Sequence, residues 1–279
     1  MNIRLILTGL LFVSIASSCN DQESNTNETK KNDSASAVVA IKEDSISYNL
    51  DGRNFKGYVV YDSANKNKRP AVLVVHEWWG LTEYPRSRAR QLAELGYIAM
   101  AVDMYGDGKT AEDPKAAGEL ATPFYTNPQL AKTRLDAAMN QLKQYAQTDT
   151  GNIAAIGYCY GGFVVLNAAK LGADLKGVVS FHGNLSGAPV NKDLLKAKIL
   201  ICHGEADDMV NKEVELFKKA MDSAGVDYSF KSYANATHAY TNPAATEKGK
   251  KFKMPIAYNA AADSASWNDM KEFLSRIFR

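Results

Sequence analysis

Cys159 lies in the most distinctive short pattern of the chain, Gly157-Tyr-Cys-Tyr-Gly161. A nucleophile between two glycines, after an apolar run and before a helical pattern, is typical of the sharp strand-to-helix turn called a nucleophile elbow. The glycines have no Cβ and tolerate the strained dihedral angles of such a turn. The turn would place the sulfur at a helix N-terminus, which favours a thiolate. The pattern therefore predicts a cysteine nucleophile, although an isolated cysteine is also often a small buried apolar residue.

A carboxylate and a histidine follow Cys159 in the chain order that an elbow enzyme requires. Asp207 comes shortly after the apolar run 199–202, and His238 comes after the last predicted strand. A histidine here could accept the thiol proton and later donate it to a leaving alcohol, while the aspartate would hold the imidazole in the required tautomer. We predict a catalytic triad of Cys159, Asp207 and His238, with Asp208 as the neighbouring rival for the acidic position.

The stretch 76–80, with the sequence HEWWG, follows a predicted central strand and carries candidate groups around the nucleophile. In an elbow enzyme, the oxyanion is stabilised by one backbone N–H after this strand and by the N–H after the nucleophile, which nominates Trp78 and Tyr160. Glu77 would tune the protonation of Cys159, because a nearby carboxylate disfavours a thiolate. Aromatic rings near these residues could form a substrate pocket or simply pack the loops together. The predicted pocket residues are Trp79, Tyr105 and Tyr240.

The other histidines, His76, His182 and His203, also follow predicted strands. No cluster of Cys, His and carboxylate residues has the spacing of metal ligands, so we interpret these histidines as structural or pocket-lining and predict no metal site. Cys202 lies within the apolar run 199–202 and is expected to pack inside a strand. We expect no disulfide.

Strands and helices alternate along the chain from residue 41 onward, which predicts an α/β fold. The expected architecture is a mainly parallel, doubly wound sheet with helices on both faces. Alternating residues around Asp51-Gly52 predict an N-terminal antiparallel hairpin. The helix after the elbow is predicted to begin at Phe163. The Gly-, Pro- and Asp-rich segment 103–127 predicts surface loops, and the lysines within 248–253 predict a solvated loop.

Length and charge restrict the functions that the chain could have. Its 279 residues are enough for one large α/β domain, and its formal net charge of +2 gives no electrostatic footprint for nucleic acid. No glycine-rich phosphate-binding pattern follows a predicted strand. We therefore expect a small-molecule substrate and no nucleic-acid partner. The expected state is a monomer, although the sequence does not determine the oligomeric state.

The N-terminal residues are predicted to be a targeting sequence and a linker. Residues 1–18 have a positive charge at Arg4, an apolar run too short for a membrane span, and small residues before Cys19, as in a bacterial lipoprotein signal peptide. The alternative is an ordinary secretory signal cleaved nearby. The polar segment 19–40 predicts a flexible tether, and 41–279 the folded domain. We expect export and anchoring to the bacterial cell envelope through a lipid on Cys19.

The sequence resembles the dienelactone hydrolase family from about residue 45 to residue 278. The residues that carry the resemblance are 75–80 (VHEWWG), 157–162 (GYCYGG), 204–207 (GEAD) and 238–243 (HAYTNP). It implies an α/β-hydrolase fold, usually a single domain without a cofactor. It also implies that Cys159 is the nucleophile beside Asp207 and His238, and that Glu77 interacts with Cys159 in the resting site.

The chain departs from the family where characterised members hold an anionic lactone with arginines. At those two positions it has Gly106-Asp107 and Asn242, so we do not expect chlorocatechol-type dienelactone chemistry. The sequence instead predicts hydrolysis of a small carboxylic ester or lactone through a thioester acyl-enzyme, without a cofactor. Two alternatives remain. One is a peptide or amide hydrolase on the same fold, and the other is a lipid-anchored surface protein that binds a ligand without turnover.

Overall fold

A single sheet organises residues 39–279, the part of the chain that the computed structural model describes. Its strands are β1 (Ile41–Leu50), β2 (Arg53–Asp62), β3 (Arg69–Val75), β4 (Ile98–Val102), β5 (Thr148–Tyr158), β6 (Gly177–Phe181), β7 (Lys198–Gly204) and β8 (Tyr228–Tyr233). Their spatial order is β1-β2-β4-β3-β5-β6-β7-β8. The two pairs that involve β2 are antiparallel, and all other neighbouring pairs are parallel. The predicted α/β fold with a mainly parallel sheet is confirmed.

Helices cover both faces of this sheet. They are α1 (Glu83–Glu94), α2 (Pro114–Thr126), α3 (Pro128–Leu142), α4 (Tyr160–Lys170), α5 (Asn211–Ser223), α6 (Ala245–Phe252) and α7 (Ala260–Ile277). In β3, Leu73 belongs to the apolar cluster that includes Val164 of α4. Its neighbour Val72 belongs to the second cluster, with Leu92 of α1 and Met270 of α7. Both faces of the central strands are thus buried, which explains their continuous apolar sequences. Among the described helices, none is both long enough and apolar enough to cross a bilayer.

The predicted N-terminal hairpin is confirmed. Asp51 and Gly52 connect β1 to β2 with φ angles of 52° and 76°. Two consecutive residues in the left-handed region give the type I′ turn, whose twist matches that of the flanking strands. Close to the turn, the rings of Tyr48 and Phe55 stack across the two strands with centroids 5.5 Å apart. The hairpin therefore combines a favourable turn with a cross-strand aromatic pair.

The prediction of surface loops over 103–127 is wrong in its second half, which forms α2. Asp113 precedes this helix and its side chain accepts a hydrogen bond from the Ala116 N–H at 2.9 Å, while Pro114 occupies the first turn. A capping aspartate followed by proline is a helix-start signal. Pro123 lies inside the helix and adds to the loop-like composition that concealed this signal.

The predicted solvated loop over 248–253 is also mostly helical, because it belongs largely to α6. Ala245 and Gly249 lie one turn apart on this helix and are both buried. Lys248 lies between them in sequence, and its Nζ sits 3.9 Å from the centroid of the Trp79 ring. An ammonium over an indole face is held by the ring quadrupole as well as by packing. The lysine-rich composition therefore obscured a helix that packs beside the site.

Candidate active site

The turn that carries Cys159 connects β5 directly to α4. Cys159 has φ 53° and ψ −114°, a strained conformation for a residue with a side chain. A Cβ atom at Gly157 would lie 2.0 Å from the Gly161 carbonyl oxygen, and one at Gly161 would lie 2.4 Å from the Val75 carbonyl oxygen. Only glycine fits at either position. The helix begins at Tyr160, three residues earlier than predicted, because the glycines form its first turn instead of delaying it.

Asp207, His238 and Cys159 converge at the C-terminal ends of the strands. The His238 Nδ1 atom lies 2.8 Å from Asp207 Oδ2, and the Nε2 atom lies 3.0 Å from Cys159 Sγ. Both His238 and Asp207 are buried, whereas Cys159 is partly exposed. The rival residue Asp208 is exposed, and the hydrogen bond goes to Asp207. The structure therefore brings together the three residues of the predicted triad.

The surroundings of His238 favour its protonated form. Burial alone lowers the pKa of His238, because a cation loses hydration. The negative charge of the Cys159 sulfur and the hydrogen bond to Asp207 outweigh burial and raise this pKa well above its usual range. The His238 ring is therefore suited to hold a second proton beside the Cys159 sulfur.

A second histidine holds the backbone of the nucleophile turn. The Cys159 N–H is shared between two acceptors, the Phe181 carbonyl at 2.9 Å and His182 Nδ1 at 3.1 Å. Because Nδ1 accepts, the neutral ring carries its hydrogen on Nε2 and donates it to Thr241 Oγ1 at 2.7 Å. Burial and the nearby positive charge of His238 lower the pKa of His182 well below its usual range. His182 is thus a neutral structural residue that links the elbow to the loop after His238.

The other two histidines also support the backbone or a helix. Buried His76 donates from Nδ1 to the Glu77 carbonyl at 2.5 Å and accepts from the Met104 N–H at 3.3 Å. Burial lowers the pKa of His76 to about 4. His203 pairs through Nε2 with Asn211 Oδ1 at 2.7 Å. Both are consistent with the predicted structural role. Cys202 is fully buried in β7, as predicted.

The two backbone N–H groups nominated for the oxyanion belong to the residue directly after Cys159 and to the turn after β3. Tyr160 begins α4, where the N–H has no helical partner, and Trp78 lies in the turn closed by the hydrogen bond from Gly80 N–H to the Glu77 carbonyl at 3.1 Å. Within the described residues, neither N–H has a hydrogen-bond acceptor. The ring of Tyr160 is fully buried, so only its backbone is available to the site.

Glu77 is buried and lines the same cavity as Cys159, but within the described residues it makes no hydrogen bond to Cys159. Its carboxylate accepts a hydrogen bond from Asn242 Nδ2 at 2.6 Å, whereas the Cys159 sulfur faces His238. Burial raises the pKa of Glu77, while the Asn242 bond and the positive charge of Lys248 oppose this shift. The resting contact implied by the family resemblance is therefore absent from this conformation, although both side chains line one cavity.

This cavity, with a volume of about 330 Å³, opens beside Cys159. It is lined by Glu77, Trp78, Trp79, Tyr125, Cys159, Asn184, Ser186, Met209, His238, Ala239, Met254 and Ile256. Most of these side chains are apolar or aromatic. Among the described residues, no lysine or arginine belongs to the lining.

Of the three predicted pocket residues, only Trp79 lines the cavity. Tyr105 is buried and donates from its hydroxyl to the Trp78 carbonyl at 3.0 Å, so it supports the turn from behind. Tyr240 is fully buried and donates to the Cys202 carbonyl at 3.3 Å. The predictions that Tyr105 and Tyr240 line the pocket are therefore wrong. A residue can lie near a site in sequence and still direct its side chain away from it.

The sequence profile of the dienelactone hydrolase family matches residues 55–278. This chain belongs to the dienelactone hydrolase family. The protein is therefore a hydrolase of the carboxylic ester class, related to enzymes that act on esters and lactones. The α/β-hydrolase architecture implied by the resemblance is likewise confirmed.

Several relatives match most of this chain. Protein usf of Aquifex pyrophilus is 30% identical over 211 residues, which cover 71% of this chain and 86% of the relative. A protein of Aquifex aeolicus, provisionally named carboxymethylenebutenolidase, is 31% identical with the same coverages. The crystal structure of a dienelactone hydrolase-like promiscuous phosphotriesterase from metagenomic libraries has a TM-score of 0.80 and 30% identity, covering 86% of this chain and all of that one.

Several lining residues of this family member were missed by the sequence analysis. Asn184 and Ser186 come from the loop after β6, Met209 from the loop after β7, and Met254 and Ile256 from the segment after α6. These residues have no motif of their own. Asn184, Ser186 and Met209 share one signal, because each follows a strand whose C-terminal end lies at the same edge of the sheet as the strand ends before Cys159 and His238.

A larger cleft, of about 720 Å³, lies at the other edge of the sheet. Its lining includes Lys198, the first residue of β7, and Asp227, which directly precedes β8. Asp207 and His238 follow the opposite, C-terminal ends of β7 and β8, and Cys159 follows the C-terminal end of β5. The larger cleft therefore lies away from the three residues of the predicted triad.

Proposed function

We propose that the protein hydrolyses small, uncharged carboxylic esters or lactones through Cys159, His238 and Asp207. The observation that carries the proposal is the continuous chain of contacts from Asp207 to His238 to Cys159 Sγ, at 2.8 and 3.0 Å, beside an apolar cavity. Family membership supports ester or lactone chemistry independently of this geometry.

In the proposed first half-reaction, the Cys159 thiolate attacks the ester carbonyl carbon. The N–H groups of Trp78 and Tyr160 stabilise the oxyanion that forms. The tetrahedral adduct collapses as the C–O bond to the alcohol breaks, and the His238 imidazolium gives its Nε2 proton to the leaving alkoxide. The product is a thioester between the acyl group and Cys159.

In the second half-reaction, neutral His238 takes a proton from water as the water oxygen attacks the thioester. Collapse of this second adduct expels the Cys159 thiolate and releases the carboxylic acid, which restores the resting pair of thiolate and imidazolium. Asp207 accepts the Nδ1 hydrogen bond throughout and keeps Nε2 directed at the reacting atoms. Each half-reaction therefore uses the same ring for opposite proton transfers.

An uncharged substrate is proposed because of the lining of the cavity. An anionic lactone would need lysine or arginine donors, and the described lining contains none. The residue at one of the two family arginine positions, Asn242, donates to Glu77 instead of facing a substrate carboxylate.

The test is hydrolysis of p-nitrophenyl esters of acetate, butyrate and hexanoate by the purified protein and by Cys159→Ala and Cys159→Ser. We expect turnover by the wild type and none above background in Cys159→Ala, because the attacking sulfur is gone. Cys159→Ser keeps the size of the side chain and should retain much less than the wild-type rate. The proposal fails if the folded Cys159→Ala variant keeps wild-type activity.

The same experiment separates ester from amide chemistry. The matching acyl p-nitroanilides present the same acyl groups with a poorer leaving group. We expect the esters to be preferred, because collapse of a thiolate adduct back to an amide substrate is easy when the amine leaves poorly. A preference for the anilides would favour the peptide or amide hydrolase alternative.

A second candidate activity is hydrolysis of phosphate triesters. One structural relative is described as a promiscuous phosphotriesterase. A phosphate triester carries no charge, and so it suits the same lining without cationic side chains. We expect release of p-nitrophenol from a dialkyl p-nitrophenyl phosphate that depends on Cys159. If Cys159→Ala and the wild type release it equally slowly, this activity is absent.

A further inference from the structure

Two uncharged polar side chains line the active-site cavity, Asn184 and Ser186. Both belong to the loop between β6 and β7. Apart from these two, Glu77, and the pair Cys159 and His238, the described lining is apolar or aromatic. The loop therefore adds two uncharged polar side chains to a largely apolar lining.

A carboxylate outside the cavity lining holds the start of this loop. Glu213 of α5 accepts hydrogen bonds through Oε2 from the backbone N–H groups of Leu185 and Ser186, at 2.7 and 3.1 Å. Hydrogen bonds to a charged acceptor are stronger than neutral ones. The loop backbone is therefore fixed by a side chain from a different element.

Two buried side chains of α4 also hold this part of the loop, through the backbone of residues 185, 186 and 188. Asn167 donates to the Ser186 carbonyl at 3.1 Å and accepts from the Ala188 N–H at 2.7 Å. Lys170 donates from Nζ to the Leu185 carbonyl at 3.0 Å. Since α4 begins at the nucleophile turn, this wall of the cavity and the nucleophile are held by one helix.

The contact between Glu213 and Asn184 determines which end of the Asn184 amide faces the cavity. Glu213 Oε1 accepts a hydrogen bond from Asn184 Nδ2 at 3.1 Å. An ionised carboxylate can only accept, so the amide must turn its NH₂ group toward Glu213. Among the described residues, Asn184 Oδ1 has no donor, and it remains available to a ligand in the cavity.

We propose that Asn184 Oδ1 is the acceptor of a substrate subsite that recognises an N–H or O–H group on an uncharged ester, and that Glu213 is its positioning residue. The inference rests on the proposed ester hydrolase function and narrows its substrate class. The preferred substrates are esters that combine an apolar part with one hydrogen-bond donor, such as acylamino or hydroxy esters.

The test uses two pairs of esters that differ only by N–H in place of CH₂. On the acyl side, N-acetylglycine p-nitrophenyl ester is compared with p-nitrophenyl 4-oxopentanoate. On the alcohol side, N-(2-acetoxyethyl)acetamide is compared with 5-acetoxypentan-2-one. The quantity measured is kcat/KM for each ester in the wild type and in Asn184→Leu, which keeps the shape of the side chain and removes the acceptor.

Asn184→Leu should lower the ratio of kcat/KM for the N–H member to kcat/KM for the CH₂ member about tenfold in one of the two pairs, as expected for one lost hydrogen bond. The pair that responds identifies the side of the ester that the subsite contacts. Equal changes within both pairs, or no change in either, would overturn the proposal. Thermal unfolding of the variant checks that it is folded.

Glu213→Gln tests the positioning role with a readout that a purely structural role would not change. The oxygen of the new amide must serve the two loop N–H groups, so its NH₂ faces Asn184. The Asn184 amide then turns its oxygen toward this NH₂ and its own NH₂ toward the cavity. We expect the ratio of kcat/KM between the N–H and CH₂ esters to fall as it does in Asn184→Leu. Retention of the preference would overturn the role of Glu213.

A binding readout separates this inference from the proposed function. Protection of Cys159 from alkylation by iodoacetamide is measured with N-acetylglycinamide and with 4-oxopentanamide, and needs no turnover. Stronger protection by the N–H amide in the wild type, lost in Asn184→Leu, supports the subsite even if no ester is hydrolysed. Equal protection by the two amides contradicts the subsite even if both esters are hydrolysed through Cys159.

Discussion

At the level of single residues, the charge of His238 depends on two neighbours on opposite sides of its ring. Asp207 holds Nδ1 and Cys159 faces Nε2, and together they raise the pKa of His238 despite complete burial. Asp207 is itself fully buried, and its second oxygen accepts the Met209 N–H at 3.1 Å. The aspartate is therefore positioned by the backbone, and in turn it positions the ring.

Asp207→Asn should reduce ester hydrolysis on the order of 10³–10⁴-fold, because an amide can present its NH₂ to the ring and favour the wrong tautomer. Asp208→Asn is the matched control, since the neighbouring side chain is exposed and should leave the rate unchanged. The measurement is kcat for p-nitrophenyl butyrate in both variants. Similar losses in the two would mean that Asp207 is not the partner of His238 in the reaction.

The same substitution predicts a pH dependence of stability. The pKa of a histidine in the unfolded chain is about 6.5, and folding raises the pKa of His238 above this value. The resulting stabilisation is fully present below pH 6.5 and is lost as the pH rises through the pKa of the folded state. The difference in free energy of unfolding between wild type and Asp207→Asn should therefore be larger at pH 6 than at pH 9. Urea unfolding at the two pH values measures it. A difference that grows with pH would contradict the assigned shift of His238.

At the level of elements, the connection between β5 and α4 leaves no room for side chains on its flanking glycines. Gly157→Ala should destabilise the protein by roughly 3 kcal/mol or more, because a new Cβ would lie 2.0 Å from a backbone oxygen that cannot move without displacing α4. Urea unfolding and the p-nitrophenyl butyrate assay measure the effect. Wild-type stability in this variant would contradict the tight elbow geometry.

The matched control for this change is Gly118→Ala in α2. A Cβ atom at Gly118 has open space around it, and the residue lies inside a helix. Replacing a helical glycine with alanine should stabilise the protein by roughly 0.5–1 kcal/mol, because the unfolded chain loses conformational freedom. The opposite signs expected at the two glycines separate local crowding from a general response to added methyl groups.

At the level of the whole molecule, the sequence predicts those features that depend on periodic patterns and on the parallel sheet. Asp207 and His238 could be matched with Cys159 because the C-terminal ends of parallel strands meet at one edge. Tyr105 and Tyr240 were misplaced because a chain position near the site does not fix where a ring points. The link from Asn184 to Glu213 joins separate elements through side chains alone, and no local pattern encodes such a contact.

The predicted signal peptide and the predicted lipidation of Cys19 lie outside the residues that the structure describes. If residues 1–18 are a lipoprotein signal peptide, the mature chain begins at a Cys19 that carries acyl chains. Each buried CH₂ contributes about 0.8 kcal/mol, so two or more chains anchor a protein stably, whereas one does so marginally. We therefore propose that the hydrolase is held at the cell envelope by its N-terminus.

Intact-mass analysis of the protein extracted from bacterial membranes tests this anchoring. We expect a chain of residues 19–279 with the added mass of lipid, located in the membrane fraction. Cys19→Ala should lose the lipid and leave that fraction, because no acyl chain then remains to partition into the bilayer. Cys159→Ala should keep both the lipid and the location, since the acylated sulfur belongs to Cys19. An unlipidated chain cleaved at another position would instead establish an ordinary secretory signal.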